Sequence, residues 1–250
     1  MKLEFIKYDP TQNMTVLVKT RFDRSEYAHI AGRLMSYDNV SCEQVGFIED
    51  DMLYMAGGEF CGNASRCYAA YMHREKGMSE FDIRVSGANE TIHCIVSGSE
   101  PKYSVRVDMP ADISFRTVNG LTAVEMGGIA HVIKYSDYPD AENDIKTELI
   151  RLAPKVDCGA VGLLVCTPDH SYLLPTVYVK DVDSIVTERG CGSGSAALAA
   201  VAALKNGRSS LSIRQHGGVI NAGASCDGKK ITSLWIEGEV HTVSEGTAYI

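Results

Sequence analysis

The sequence predicts an α+β chain built as two pseudo-symmetric halves, and three observations carry that expectation. Two glycine-rich turns, each holding a cysteine, open into apolar helical runs: Glu59-Phe60-Cys61-Gly62-Asn63 and Glu188-Arg189-Gly190-Cys191-Gly192-Ser193-Gly194. One offset of 130 residues carries Cys61-Gly62 onto Cys191-Gly192, Gly77 onto Gly207, Ile83-Arg84 onto Ile213-Arg214 and Gly87 onto Gly217. Short runs rich in β-branched and aromatic residues surround both turns and read as strands. Glycines that recur at one offset mark backbone conformations other residues avoid. The pattern therefore reads as an internal duplication of a strand–elbow–helix–strand unit.

Taken in order, residues 3–8 and 14–19 read as strands, separated by the turn formers Asp9-Pro10-Thr11-Gln12-Asn13. Residues 24–36 set Tyr27, Ile30, Ala31 and Leu34 at helical spacing, with Ser25 as the expected N-cap. Strands at 44–48 and 52–56 lead through Gly57-Gly58 to the Cys61 elbow and a helix over 63–76 that Gly77 ends. Strands at 81–85, 91–96 and 103–109 close the first half, and Pro110 and Asn119-Gly120 mark the crossing. In the second half, strands are expected at 121–126, 129–135, 161–167 and 173–179, with a helix over 141–152 stopped by Pro154. The Cys191 elbow opens a helix over 194–205, then come Gly207 and strands at 210–214, 218–222, 231–237 and near 240–249. The expected domains are 1–118, completed by the last strand near 240–250, and 119–240.

The 250 residues suffice for a sizeable core, and 45 % hydrophobic with 22 % charged residues is ordinary for a soluble globular chain. A net charge of −8 offers no basic footprint, which argues against a nucleic-acid partner. The N-terminal residues lack the apolar core of a signal peptide, and the longest apolar run, 196–204, is too short for a bilayer span, so a cytoplasmic protein is expected. The eight cysteines show neither CxxC nor zinc-type spacing, so they are read as thiols and no metal site is expected. Walker spacing and its lysine are likewise missing from the 190–194 turn, which disfavours nucleotide binding.

Two thiols at two helix starts suggest a specific chemistry. A free thiol titrates near about 8.5, and a helix N-terminus with its unpaired N–H groups favours the thiolate. If two such sulfurs share a site, ionising one raises the pKa of the other, leaving one base and one acid. That is the equipment for inverting a carbon by removing a proton on one face and supplying one on the other. Backbone N–H groups of Gly62, Asn63, Gly192 and Ser193 would hold a carboxylate and the charge that develops on it. Cys67 falls deeper in its helix and is read as core, as are Cys42, Cys94, Cys158, Cys166 and Cys226. Arg66 and Arg189 are read as solvated or helix-flanking, with steering of an acidic substrate as the alternative. His131 and Asn13 have structural readings, a hydrogen-bonded strand-end histidine and a turn asparagine, beside the functional ones.

Glu59-Phe60-Cys61-Gly62-Asn63-Ala64-Ser65-Arg66-Cys67 resembles the first elbow of the diaminopimelate epimerase superfamily, and Cys191-Gly192-Ser193-Gly194 resembles its second. Phe5-Ile6-Lys7-Tyr8 with Asn13, and Gly128-Ile129-Ala130-His131, match further family segments, so the similarity spans essentially the whole chain. The resemblance implies two domains, each a mixed or antiparallel sheet wrapped around a central helix, with the active site in the cleft between them. It also implies cofactor-independent racemisation with Cys61 and Cys191 as catalytic residues, no PLP or metal, and a homodimer. The expected substrate-binding residues are Asn13, Gln44, Gly62, Asn63, His131, Glu188, Arg189, Gly192 and Ser193. Two departures matter: Glu188-Arg189-Gly190 abuts Cys191 without the family's usual insert, and the asparagines expected around the far end of diaminopimelate are missing. A site built for polar groups keeps its polar partners, so a different amino acid is expected. Met55 to Asn63 resembles histidine racemases of the superfamily, which makes histidine the leading substrate. Glu188 or Glu43 would meet its side chain. Diaminopimelate epimerisation and a non-catalytic amino-acid-binding protein are the alternatives.

Overall fold

The computed structural model describes residues 1–139, 144–180 and 183–250. The chain divides into two compact units, Met1–Asp108 with Glu237–Ile250, and Met109–Ile236. The first division therefore falls at Asp108 rather than at 118.

In the first unit, β1 (Lys2–Asp9), β2 (Thr15–Val18), β3 (Gln44–Glu49) and β4 (Met52–Met55) are followed by β5 (Glu80–Val85), β6 (Ile92–Ser99) and β7 (Lys102–Asp108). They lie side by side in that order, with parallel pairs at β2–β3 and β4–β5 and antiparallel pairs elsewhere. The last stretch of the chain runs antiparallel to β1, from Lys2 opposite Tyr249 to Asp9 opposite His241. Helix α1 (Tyr27–Met35) packs Tyr27, Ile30, Ala31 and Leu34 against Leu3, Val16, Val45 and Phe47. Helix α2 (Gly62–Lys76) is buried at every position from Gly62 to Ala70, which makes it the central element of this unit.

The second unit opens with β8 (Ser114–Val118), β9 (Leu121–Met126) and β10 (Ile129–Tyr135), then α3 (Ile145–Leu152). Next come β11 (Ala160–Cys166), β12 (Leu173–Val179) and β13 (Ser184–Thr187), helix α4 (Gly192–Asn206), then β14 (Arg208–Gln215) and β15 (Gly218–Asp227). Strands β8 to β13 form one sheet in which β10–β11 is the parallel pair. Ile145, Leu149 and Leu152 of α3 cover it from one side, against Val118, Val132, Leu163 and Val165. Helix α4 touches β9 and β10 and also the β14–β15 hairpin, so its alanine-rich surface is buried along nearly its whole length. The final strand, β16 (Lys230–Tyr249), leaves this unit after Ile236. Among the described residues no helix is long and apolar enough to cross a membrane.

Most expected elements stand within one or two residues, and the differences have physical causes. Strands β8 and β13 were not expected; both are edge strands of the six-stranded sheet with largely exposed side chains, so neither needs an apolar period. Asn119 and Gly120, both at positive φ, turn β8 into β9 as a two-residue hairpin inside the second unit, not a crossing between halves. Asp23, not Ser25, caps the turn that enters α1, with Glu26 accepting its backbone N–H at 3.3 Å. The strands expected at 231–237 and near 240–249 are one strand, because nothing in between breaks the extended backbone. The helix expected from 141 starts at Ile145, and positions 141–143 lie outside the described residues.

Candidate active site

Each unit carries one thiol elbow, termed its half-site by its place in the sequence duplication, built on the N-terminus of its buried helix. In the first, Cys61 is the N-cap of α2, extended at φ −132°, and its sulfur accepts the Ala64 N–H at 3.3 Å. The thiol donates to Gln44 Oε1 at 2.7 Å, so Gln44, at the start of β3, faces the sulfur directly. The Ser65 hydroxyl donates to the Cys61 carbonyl at 2.8 Å and holds the cap residue's own backbone. Below the elbow, Gly87 lies so close that a Cβ there would stand 2.2 Å from the Phe60 nitrogen, and its φ is +71°. Only glycine permits both. Ser86 beside it receives the Met55 N–H at 2.9 Å and donates to the Glu59 carbonyl at 2.8 Å.

Two asparagines complete this half-site. Asn13 is 2 % exposed; its amide nitrogen donates to Glu43 Oε2 at 3.2 Å while its Oδ1 is buried without a partner. An unmatched buried acceptor is costly in a finished core, and it is what a site awaiting a donor presents. Asn63, in the first turn of α2 beside Gly62, accepts a hydrogen bond on Oδ1 from Arg66 at 2.8 Å.

The second half-site repeats the scaffold. Cys191, at φ −106°, is the N-cap of α4 and accepts the Gly194 N–H at 3.3 Å. Ser195 donates to its carbonyl at 2.8 Å, as Ser65 does in the first half. The Gly217 N–H reaches the Arg189 carbonyl at 2.7 Å, bracing this elbow's entry as Gly87 braces the other. Arg189 itself is exposed and takes part here through that carbonyl. The surroundings differ. Buried Gln215 accepts the Cys191 N–H on Oε1 at 2.8 Å and donates from Nε2 to Ser195 at 2.9 Å. The Ser193 hydroxyl stands 3.6 Å from the Cys191 sulfur and 2.9 Å from His131 Nε2. His131 is fully buried on β10, and Gly162 leaves room for its ring, since a Cβ there would meet Nδ1 at 2.4 Å.

Burial holds His131 down to about 4, so the ring is neutral near pH 7. The Cys191 thiol is pushed well up, first by burial and then by the charge and hydrogen bond of Glu188; Ser193 and the Gly194 N–H oppose this. The helix start alone does not decide this thiol's state, because desolvation and a neighbouring carboxylate outweigh a dipole of modest strength. Burial also raises the thiols of Cys67 and Cys94, and lifts Cys42 and Cys166 to about 12, the behaviour of core cysteines.

The structure thus gathers Asn13, Gln44, Cys61, Gly62 and Asn63 in the first unit, and His131, Glu188, Cys191, Gly192 and Ser193 in the second. Sequence reasoning missed Gln215, which has no motif around it, and the Ser65/Ser195 pair, which the 130-residue offset does relate. It also misplaced Arg66. That side chain is neither solvated nor flanking but wholly buried, and the apolar surroundings of Cys67 to Ala70 are the signal that marks it.

A hydroxyproline epimerase from Agrobacterium vitis, solved with bound trans-4-hydroxy-L-proline, shares this fold, with a TM-score of 0.65 at 12 % identity over 99 % of this chain and 91 % of that one. The curated relatives define the class: the chain is an isomerase, an amino-acid racemase. Within that class the chain belongs to the histidine racemase family, whose model, described as the histidine racemase CntK N-terminal domain, matches residues 2–249. It is 30 % identical to the histidine racemase of Staphylococcus aureus strain Mu50, over 99 % of this chain and 98 % of that protein. It is 32 % identical to the histidine racemase of Fusobacterium nucleatum subsp. nucleatum, over 99 % and 97 %.

Proposed function

We propose that this racemase interconverts L- and D-histidine by two-base proton transfer at Cα, with Cys61 and Cys191 as the proton carriers. The observation that supports this most is the twin cap. Cys61 and Cys191 each close the N-terminus of a 15-residue helix and each accept an N–H at 3.3 Å. An N–H aimed at sulfur stabilises the thiolate without demanding it, so each sulfur is equipped for both protonation states.

The thiolate removes the Cα proton from one face of the bound amino acid. The C–H electron pair passes into the α-carboxylate, whose developing charge the N–H groups of Gly62, Asn63, Gly192 and Ser193 oppose. The S–H bond of the other thiol then breaks as a new C–H bond forms on the opposite face. Cys191, raised by burial and by Glu188, rests as the thiol and supplies the proton when Cys61 is the base. In the reverse direction the roles exchange, and Glu188 beside its sulfur favours the return of a proton to Cys191. Asn13 Oδ1 is an acceptor suited to a substrate N–H, and Gln44 receives the Cys61 proton's hydrogen bond between turnovers. Histidine is the substrate because both named relatives are histidine racemases. The same reading makes the protein a cytoplasmic homodimer acting on the free amino acid.

The test is α-proton exchange in D2O with L- and D-histidine beside a panel that includes LL-diaminopimelate. NMR follows the α-proton and chiral chromatography the enantiomer ratio. Histidine is expected to exchange and racemise fastest. No exchange with any member of the panel sinks the chemistry, and exchange confined to diaminopimelate sinks the substrate. Light scattering on the eluted protein checks the dimer.

A further inference from the structure

Arg66 occupies the fifth position of α2 with 0 % exposure. Among the described residues no carboxylate forms an ion pair with it. Its partners are neutral: Asn63 Oδ1 at 2.8 Å, the Pro10 carbonyl at 3.1 Å, Thr11 Oγ1 at 3.4 Å and the Glu239 carbonyl at 3.5 Å. Its Nε makes no hydrogen bond at all. A buried cation that feels the Asp9 carboxylate only at a distance, with no ion pair, is destabilising, and an apolar side chain of similar size would pack α2 at less cost. Packing alone therefore gives no reason for an arginine here.

Its partners supply one. Thr11 and Gln12 both adopt positive φ, 72° and 56°, and Thr11 is β-branched, so this turn is strained. The turn delivers Asn13, whose unmatched Oδ1 is an open acceptor of the half-site. The guanidinium grips the turn at the Pro10 carbonyl and the Thr11 hydroxyl, and grips Asn63 by its oxygen, which fixes the way round that amide sits. One planar fork thus joins Asn63, in the first turn of α2, to the turn that leads into Asn13. A lysine, with a single point of charge, has no such geometry. Arg66 also lies five residues past the Cys61 cap on the same helix, about one and a half turns along it. Burial lowers its ionisation to about 10, while Cys67, Cys61 and Asp9, when charged, favour the cation, so a thiolate at Cys61 is opposed by a nearby positive charge.

We propose that Arg66 is a positioning residue of the first half-site: it locks Asn63 and the Thr11–Gln12 turn in register and supplies the positive field in which Cys61 ionises. The inference deepens the racemase reading and rests on it for its kinetic arm, whereas its thiol arm does not. Two effects are separable, the fork and the charge. Arg66→Lys keeps the charge and loses the fork, so KM for histidine is expected to rise about tenfold with the pH dependence of Cys61 alkylation unmoved. Arg66→Met removes the charge, so the midpoint of Cys61 alkylation, read on that peptide by mass spectrometry, should move up by about one pH unit or more. Thr11→Val deletes only the hydroxyl, and a smaller rise in KM without a shift in the alkylation midpoint is expected.

Arg66→Lys and Arg66→Met that fold with KM and the Cys61 midpoint both unchanged overturn the proposal and leave a purely structural arginine. If neither folds, Thr11→Val with an unchanged KM overturns it. A wild-type protein that racemises no amino acid defeats the racemase reading alone, because the Cys61 alkylation midpoint of Arg66→Met still decides the field.

Discussion

The two elbows differ where their backbones do not. Both present a cysteine N-cap, a sulfur that accepts an N–H at 3.3 Å, a serine tied to the cap carbonyl at 2.8 Å, and a helix that ends on a left-handed glycine, Gly77 or Gly207. Around Cys61 stand a neutral amide, Gln44, and a buried cation, Arg66. Around Cys191 stand a carboxylate, Glu188, a neutral buried imidazole, His131, and the clasp of Gln215. Duplication preserved the device that holds a sulfur at a helix start, and the environments diverged. Burial and Glu188 favour the protonated sulfur in the second unit, whereas the Cys61 thiol in the first faces a neutral acceptor, Gln44 Oε1. In the proposed pair, like-charge repulsion by itself leaves one acid and one base, and these unlike surroundings bias which sulfur keeps the proton.

The comparison breaks most sharply at the sulfurs. Cys61→Ala and Cys191→Ala are each expected to lower racemisation by about a thousandfold or more. Each variant should still exchange deuterium into one enantiomer, and the two into opposite ones. Loss from the same enantiomer in both variants would remove the division of labour. Next in size is an acid effect on the second unit. His131 has its folded pKa depressed to about 4 against an ordinary value near 6.5. Between those values the unfolded chain binds the extra proton, so this contribution, on the order of 3 kcal/mol, is complete above about pH 6.5 and lost as pH falls toward 4. Thermal unfolding across that window should show it, with hydrogen exchange loosening β10 before the strands around α2. His131→Gln should flatten the dependence.

Gln215→Leu is expected to cost about 1–3 kcal/mol, because it strands the Cys191 N–H in a buried place. Denaturant melts measure this. Val85 stands at the equivalent position of the first unit, so Val85→Ala should leave Cys61 alkylation untouched while Gln215→Leu changes that of Cys191. Smallest is Glu188→Gln. Removing the carboxylate lowers the Cys191 pKa, so its alkylation at a fixed pH below the midpoint should quicken. An unchanged Cys191 profile would mean that burial alone sets that thiol.

Much of this molecule was legible before any coordinates. The offset of 130 relates two helices of equal length, Gly62–Lys76 and Gly192–Asn206, each capped by the cysteine and the glycine read at its ends. Covalent and steric rules act locally here: a glycine at positive φ, a side-chain cap and an apolar run leave their marks in neighbouring residues. Edge strands β8 and β13 left no mark, because an exposed strand needs no periodicity.

The sequence by itself therefore determined the α+β class, the register that relates the two halves and the two thiols at helix starts. Only the tertiary structure decided what surrounds each thiol. Gln215 lies 24 residues from Cys191, Ser193 and His131 are 62 apart, and Arg66 reaches 55 residues back to Thr11. Such contacts depend on how strands distant in the chain are laid beside a helix. Burial then fixes the sign of each pKa shift, because desolvation is a property of the packed surroundings and not of the residue that feels it.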